Sequence, residues 1–165
     1  MIKSKQVYLS LGSNLGDRLK NLKRAIKLIK EQVGQVNKTS LIYKTKSLGF
    51  KGPNFFNGCV LIETSFPPNE LLDKLLEIET LMGRIRSDKK RFSSRIIDID
   101  ILFYEQKIIL TKKLKIPHPR LENRNFILYP MREIAPKLTH PVLKKTIALL
   151  TEKSSDNSIP LELRH

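Results

Sequence analysis

Residues 95–103 read RIIDIDILF, which sets two carboxylates, Asp98 and Asp100, into an otherwise unbroken apolar run behind Arg95. Strands and buried segments both disfavour aspartate, so a pair of them in this place calls for a chemical reason. On a strand, alternate side chains share a face. Asp98 and Asp100 then point the same way as Ile96 and Leu102, while Ile97, Ile99, Ile101 and Phe103 point the other way, toward the helices. The two aspartate Cα atoms lie about 6.5 to 7 Å apart, and the carboxylates repel each other unless cations stand between them.

Two chemistries meet that need. Arginines can neutralise the pair, and Arg84, Arg86, Arg91 and Arg95, with Lys89 and Lys90, crowd into the segment just before it. Alternatively, two hard oxygen ligands suit Mg²⁺, which typically takes one or two carboxylates and completes its octahedron with water and substrate phosphate. The sequence holds no Cys/His set for zinc. Cations beside a metal-binding carboxylate pair fit phosphoryl transfer, which asks of the protein mainly positioning and charge. The glycine-rich stretch GSNLGD at 12–17 is not a P-loop, because it lacks the lysine and hydroxyl of GxxxxGK[ST]; it reads as a turn capping a helix.

The elements that must position these groups follow from apolar spacing. Residues 6–11 form a short strand. Residues 17–33 keep helical spacing through Leu19, Leu22, Ile26 and Ile29, with Gly34 as the stop. Residues 36–45 read as one strand, 46–54 as a Gly- and Pro-rich loop, and 55–64 as a second long strand. A helix opens at Pro67-Pro68 and runs to Gly83; the basic loop 84–94 follows, then the aspartate-bearing strand to Tyr104. The loop's length and repelling cations predict a lid that closes on phosphate. Beyond it come a hairpin partner at 107–114, a rigid turn at Pro117-His118-Pro119, and short helices at 125–133 and 141–151. A frayed tail is expected at 154–165. The order β-α-β-β-α-β predicts an α+β, ferredoxin-like fold, an antiparallel sheet with helices on one face. With 165 residues and no repeat or linker, the reading is a single domain.

The 31 Lys and Arg against 16 Asp and Glu give net charge +15, which suits either nucleic acid or polyanionic small molecules, or only a solvated lysine-rich surface. A single cysteine, Cys59, allows no internal disulfide and suits a cytoplasmic location. The apolar runs are too short for a membrane span or a signal peptide.

Taken together, LGSNLGDR at 11–18, YKTKSLG at 43–49, PNFFNG at 53–58, LLEIETLMGRIR at 75–86, SRIIDIDILFY at 94–104 and IPHPRLENRNFILYPMREIAP at 116–136 resemble the 6-hydroxymethyl-7,8-dihydropterin pyrophosphokinases. The resemblance implies transfer of a pyrophosphoryl group from MgATP to the pterin hydroxymethyl, with release of AMP, in folate biosynthesis. By position it makes Asp98 and Asp100 the ligands of two Mg²⁺ ions, with Arg84 and Arg95 as cations at the phosphates. It assigns Arg86, His118, Arg124, Lys113 and Lys115 to ATP. It gives the pterin Asn57, the sandwiching Phe55 and Phe126, and Thr45 and Leu48 from the loop that closes over it; Glu79 becomes an active-site acid. Lys46-Ser47 replaces a family Pro-Pro, and Phe92-Ser93-Ser94-Arg95 replaces an aromatic-Gly-Pro-Arg with one extra residue upstream. The expected partners are the two small-molecule substrates, with no nucleic acid or membrane, and the expected state is a monomer.

The rival is an RNA-recognition module of the same topology, since Lys51-Gly52-x-x-Phe55 faintly follows its strand signature. Pro53 and Asn54 break that signature, and the aspartate pair would repel an RNA backbone on the receiving face.

Overall fold

The computed structural model describes residues 3–47, 49–84 and 94–163. The β-α-β-β-α-β order is present as β1 (Lys5–Ser13), α1 (Arg18–Gln32), β2 (Gln35–Thr39) with β3 (Ile42–Thr45), β4 (Phe55–Thr64), α2 (Pro68–Leu81) and β5 (Asp98–Tyr104). A small hairpin, β6 (Ile109–Leu110) and β7 (Lys115–Ile116), comes next, then α3 (Asn125–Ile134), α4 (Ile147–Lys153) and β8 (Leu161–Leu163). The main sheet is ordered β5-β1-β4-β3-β8 with β2 also on β4, and its pairings are antiparallel.

Two helices cover one face, as expected. The Asp17 carboxylate caps α1 by accepting the Lys20 N–H at 3.1 Å, which satisfies one donor of the first turn. Helix α1 buries Leu22, Ala25 and Ile29, and α2 buries Leu71, Leu75 and Ile78, all against Val7, Leu9, Val60, Ile62, Ile99 and Ile101 of the sheet. A second core lies on the opposite face, where Ile127, Leu128 and Met131 of α3 and Ile147 and Leu150 of α4 pack on Cys59, Leu102 and Phe103.

The helix expected at 141–151 opens only at Ile147, and three further local expectations change. Phe103 does not face α1 and α2. Tyr8 pairs with Phe103 while Leu9 pairs with Ile101, so Leu102 is an extra residue that reverses the alternation. Phe103 joins the α3 core, and Tyr104 takes its place on the helical side. Second, residues 36–45 are two strands. Glu133 of α3 accepts the Leu41 N–H at 2.6 Å and the Tyr43 hydroxyl at 2.9 Å, while Cys59 donates to the Ser40 hydroxyl at 2.9 Å, and the chain bends there. Third, the expected frayed tail is docked through residue 163: β8 pairs with β3, and Asp156 and Ser158 bond to Asn125. Among the described residues, no helix is long and apolar enough to cross a membrane.

Candidate active site

The sheet register builds the site. Gly12 of β1 stands opposite Asn57 on one side and Asp98 on the other, and Ser10 stands opposite Cys59 and Asp100. Residues in register share a face, so Asn57, Gly12 and Asp98 form one row on the face away from α1 and α2, with Asp100 in the next. Gly12 keeps that row open: a Cβ there would lie 2.9 Å from the Asn57 Oδ1 and 3.6 Å from the Phe55 ring. Over this floor opens a cleft walled by Thr45, Phe50, Phe55 and Phe126, with Arg95, Asp98, Asp100 and Arg124 at its charged end. Asn57 is buried, and its Nδ2 donates to the Thr45 hydroxyl at 2.6 Å. That bond fixes which way the amide faces.

The charges at the far end are arranged in layers. Glu79 is 1% exposed beneath β5, where its Oε2 accepts the Ile99 N–H at 2.7 Å and meets Arg84 at 2.9 Å. Arg84 in turn donates to the Asp98 Oδ1 at 2.8 Å, and Arg95 to its Oδ2 at 3.2 Å. Burial opposes the Arg84 charge, but the Asp98 and Glu79 carboxylates more than offset it and its pKa rises. Asp98 is thus an ion-paired carboxylate, one of the two chemistries the sequence allowed.

Asp100 is different. Among the described residues, the His118 Nε2 lies 4.0 Å from the Asp100 Oδ2, beyond hydrogen-bond reach. Although 42% of the Asp100 side-chain surface faces the clefts, the surrounding protein withdraws it from bulk water. That burial, followed by the Asp98 and Glu79 charges, pushes its carboxyl up to about 8. Burial and then Arg124 hold His118 below its ordinary pKa, so the ring is neutral at pH 7. Among the described residues its Nδ1 is buried without a hydrogen-bond partner.

A second cleft opens on the other side of Asp100, lined by Lys112, Lys113, Lys115, His118 and Pro119. Asp100 belongs to both clefts. Of these lysines, Lys113 bonds to Asp73 of α2 at 2.9 Å.

The residues expected from sequence therefore divide into groups. Thr45, Phe55, Asn57, Phe126, Arg95, Asp98 and Asp100 line the first cleft, and so does Arg124, whose guanidinium lies 5.9 Å from the Phe126 ring centre. His118, Lys113 and Lys115 line the second. Arg84 and Glu79 support Asp98 and β5 from behind. Arg86, Leu48 and most of the expected lid lie outside the described residues.

Two contributors went unread. Phe50 meets Phe55 edge to face at 6.4 Å and completes the aromatic wall; an aromatic inside a Gly/Pro loop was the signal. Asn14 is 1% exposed and joins three segments. Its Nδ2 donates to the Pro53 carbonyl at 3.2 Å and the Ser94 hydroxyl at 3.1 Å, and its Oδ1 accepts the Arg95 N–H at 2.7 Å. Nothing in the turn sequence marks those distant partners.

Donor chemistry is consistent with a divalent metal of the magnesium type. Asp98 and Asp100 offer hard oxygens, and among the described residues no third His, Cys, Asp or Glu completes a protein cage. An ion here would complete its shell from water and phosphate, as Mg²⁺ usually does.

Known proteins are similar to this chain in sequence and in fold. Residues 8–136 match the family described as 7,8-dihydro-6-hydroxymethylpterin-pyrophosphokinase (HPPK). The 2-amino-4-hydroxy-6-hydroxymethyldihydropteridine pyrophosphokinase of Aquifex aeolicus is 42% identical over 142 residues, covering 86% of this chain and 87% of that protein. The folic acid synthesis protein fol1 of Pneumocystis carinii is also 42% identical, over 159 residues, and the match spans 96% of this chain but 21% of that protein. Among solved structures, wild-type Plasmodium falciparum HPPK-DHPS with pteroate shares the fold at TM-score 0.76 and 20% identity, over 92% of this chain and 42% of that one.

Proposed function

Because this chain belongs to the 7,8-dihydro-6-hydroxymethylpterin-pyrophosphokinase family, we propose that its aromatic cleft is the pterin subsite, its lysine-histidine cleft the nucleotide subsite, and Asp100 the wall between them. The enzyme moves the pyrophosphoryl group of ATP onto 6-hydroxymethyl-7,8-dihydropterin and releases AMP, a step in folate biosynthesis. A bond forms between the hydroxymethyl oxygen and the β-phosphorus. The bond from the β-phosphorus to the α–β bridging oxygen breaks, that oxygen leaves with AMP, and the alcohol gives up its proton.

The protein's share is positioning and charge. Phe55 and Phe126 stack on the pterin ring, with Phe50 bracing Phe55. The Asn57 amide, aimed by Thr45, reads the ring edge. Arg95 and Arg124 face the pyrophosphoryl group from the first cleft, while Lys113, Lys115 and His118 hold the nucleotide in the second. Arg84 keeps Asp98 in place. Arg86 and Leu48 keep the roles the resemblance gives them, at the phosphates and over the pterin. The family generally uses ATP with Mg²⁺, and we assign two ions to Asp98 and Asp100, where the metal supplies Lewis-acid charge at the phosphoryl oxygens when bound. We take the enzyme to be a single-domain cytoplasmic monomer; a stable dimer in sedimentation would overturn the last point.

One observation carries this reading: an aromatic, amide-floored cleft and a cationic cleft meet at one carboxylate. Calorimetry tests it, with the pterin and a non-hydrolysable ATP analogue each titrated with and without Mg²⁺. Metal-dependent binding of the analogue and tight ternary pterin binding are expected; oligonucleotide binding with steep salt dependence and no metal requirement would instead favour the RNA rival. Phe55→Ala or Phe126→Ala should weaken the pterin by about 1 to 3 kcal/mol, the range of aromatic stacking on nucleobases, and change ATP-analogue affinity far less. A folded double variant with unchanged pterin affinity would place the ring elsewhere.

A further inference from the structure

The family match ends at residue 136, yet the chain beyond it reaches back to the site. Helix α3 carries Phe126 as its second residue and has Arg124 at its N-cap. An arginine side chain cannot accept the free N–H groups of a first turn, its charge opposes the helix dipole, and α3 has no acidic residue there. The missing cap comes from the tail. The Asp156 Oδ2 accepts the Asn125 N–H at 2.9 Å, and its Oδ1 accepts the Ser158 N–H at 2.8 Å and hydroxyl at 2.7 Å. Asn125, 4% exposed, returns two bonds through its Nδ2, to the Asp156 carbonyl at 3.0 Å and the Ser158 carbonyl at 2.7 Å. Burial alone would raise the Asp156 pKa, but the Asn125 and Ser158 donors outweigh it and hold the carboxyl below its ordinary range.

The same tail then pairs β8 with β3, setting Leu161 opposite Lys44, next to Thr45. One segment therefore fastens both walls of the aromatic cleft, Phe126 on one side and Thr45 on the other. We propose that Asp156 is a positioning residue for the pterin subsite, acting by capping α3 so that Arg124 and Phe126 stand at a fixed distance from Phe55 and Thr45. This rests on reading the aromatic cleft as the pterin subsite.

The test uses the full chain as wild type, Asp156→Ala and Asp156→Asn, the last keeping one of the two carboxylate acceptors. Pterin affinity in the presence of Mg²⁺ and ATP analogue, ATP-analogue affinity alone, steady-state kinetics and melting temperature are measured on each. Asp156→Ala should weaken the pterin about tenfold, the scale of a lost helix cap, and raise its KM with kcat nearly unchanged. ATP-analogue affinity should fall by much less, because Arg124 alone among the proposed nucleotide contacts stands at the start of α3, and Asp156→Asn should fall between wild type and alanine. Unchanged pterin affinity in folded Asp156→Ala, or equal losses for both ligands that track melting temperature, would overturn the proposal. If the alanine variant does not fold, the asparagine variant decides by the same comparison. Wild type that binds no pterin removes the subsite reading itself, whereas wild type that binds with both variants unchanged removes only the role of Asp156.

Discussion

Asp100→Asn should melt higher than the parent protein in the absence of ligands and yet transfer pyrophosphate at least about a thousandfold more slowly. The two effects share a cause. The folded-state pKa of Asp100 is raised to about 8, above its ordinary 3.8. Its ionised form therefore costs stability at pH values above the ordinary pKa; the cost grows as pH rises toward 8 and vanishes below about 4. Asparagine removes it. Because much of the side chain faces solvent, the gain near pH 8 should be only about 1 kcal/mol, or about 2 to 4 °C for a chain of this size. Activity moves the other way, because a charge that the empty protein tolerates at a cost is the one metal and phosphate would compensate.

Asp98→Asn should share the kinetic defect and lack the thermal gain, since Arg84 and Arg95 already balance that carboxylate. Melting curves from pH 4 to 8 and AMP release on both variants separate these outcomes. An Asp100→Asn protein that is less stable and fully active would mean the pair exists for structure alone.

Glu79→Ala should be the most destabilising single change at the site. It strips Arg84 of a buried ionic partner and leaves the Ile99 N–H without its 2.7 Å acceptor. Breaking a buried pair costs about 3 to 5 kcal/mol, which should lower the melting temperature by on the order of 10 °C. Glu79→Gln keeps an acceptor for Ile99 and should lose less. Should the alanine variant melt within about a degree of wild type, Glu79 would not be the support described here.

How far this could be read from sequence depends on the range of each interaction. The order of strands and helices was legible because each element writes its own apolar period, and Asp98 and Asp100 stood out because carboxylates break it, whereas Asn57 and Phe55 were legible only through the family resemblance. The bend at Ser40-Leu41 was not, because Glu133, far along the chain, makes it. The reversal after Ile101 was hidden because a bulge leaves no mark in an apolar run. Asn14 looked like a turn residue, and its partners Pro53, Ser94 and Arg95 are brought to it only by the fold. The tail looked polar enough to fray; its bonds to Asn125 are side-chain and carbonyl contacts that no periodicity signals.

Strand β5 ends the main sheet, and among the described residues β1 is its only neighbour there. A terminal strand rich in isoleucine, leucine and phenylalanine is a template on which another chain can add a strand, the first step toward aggregation. Here the outward Ile99 N–H is taken by Glu79, and the Leu102 carbonyl accepts the His118 N–H at 3.0 Å. Groups beside the chemistry thus also close the sheet against self-association, so substitutions at Glu79 carry a solubility risk separate from any loss of turnover.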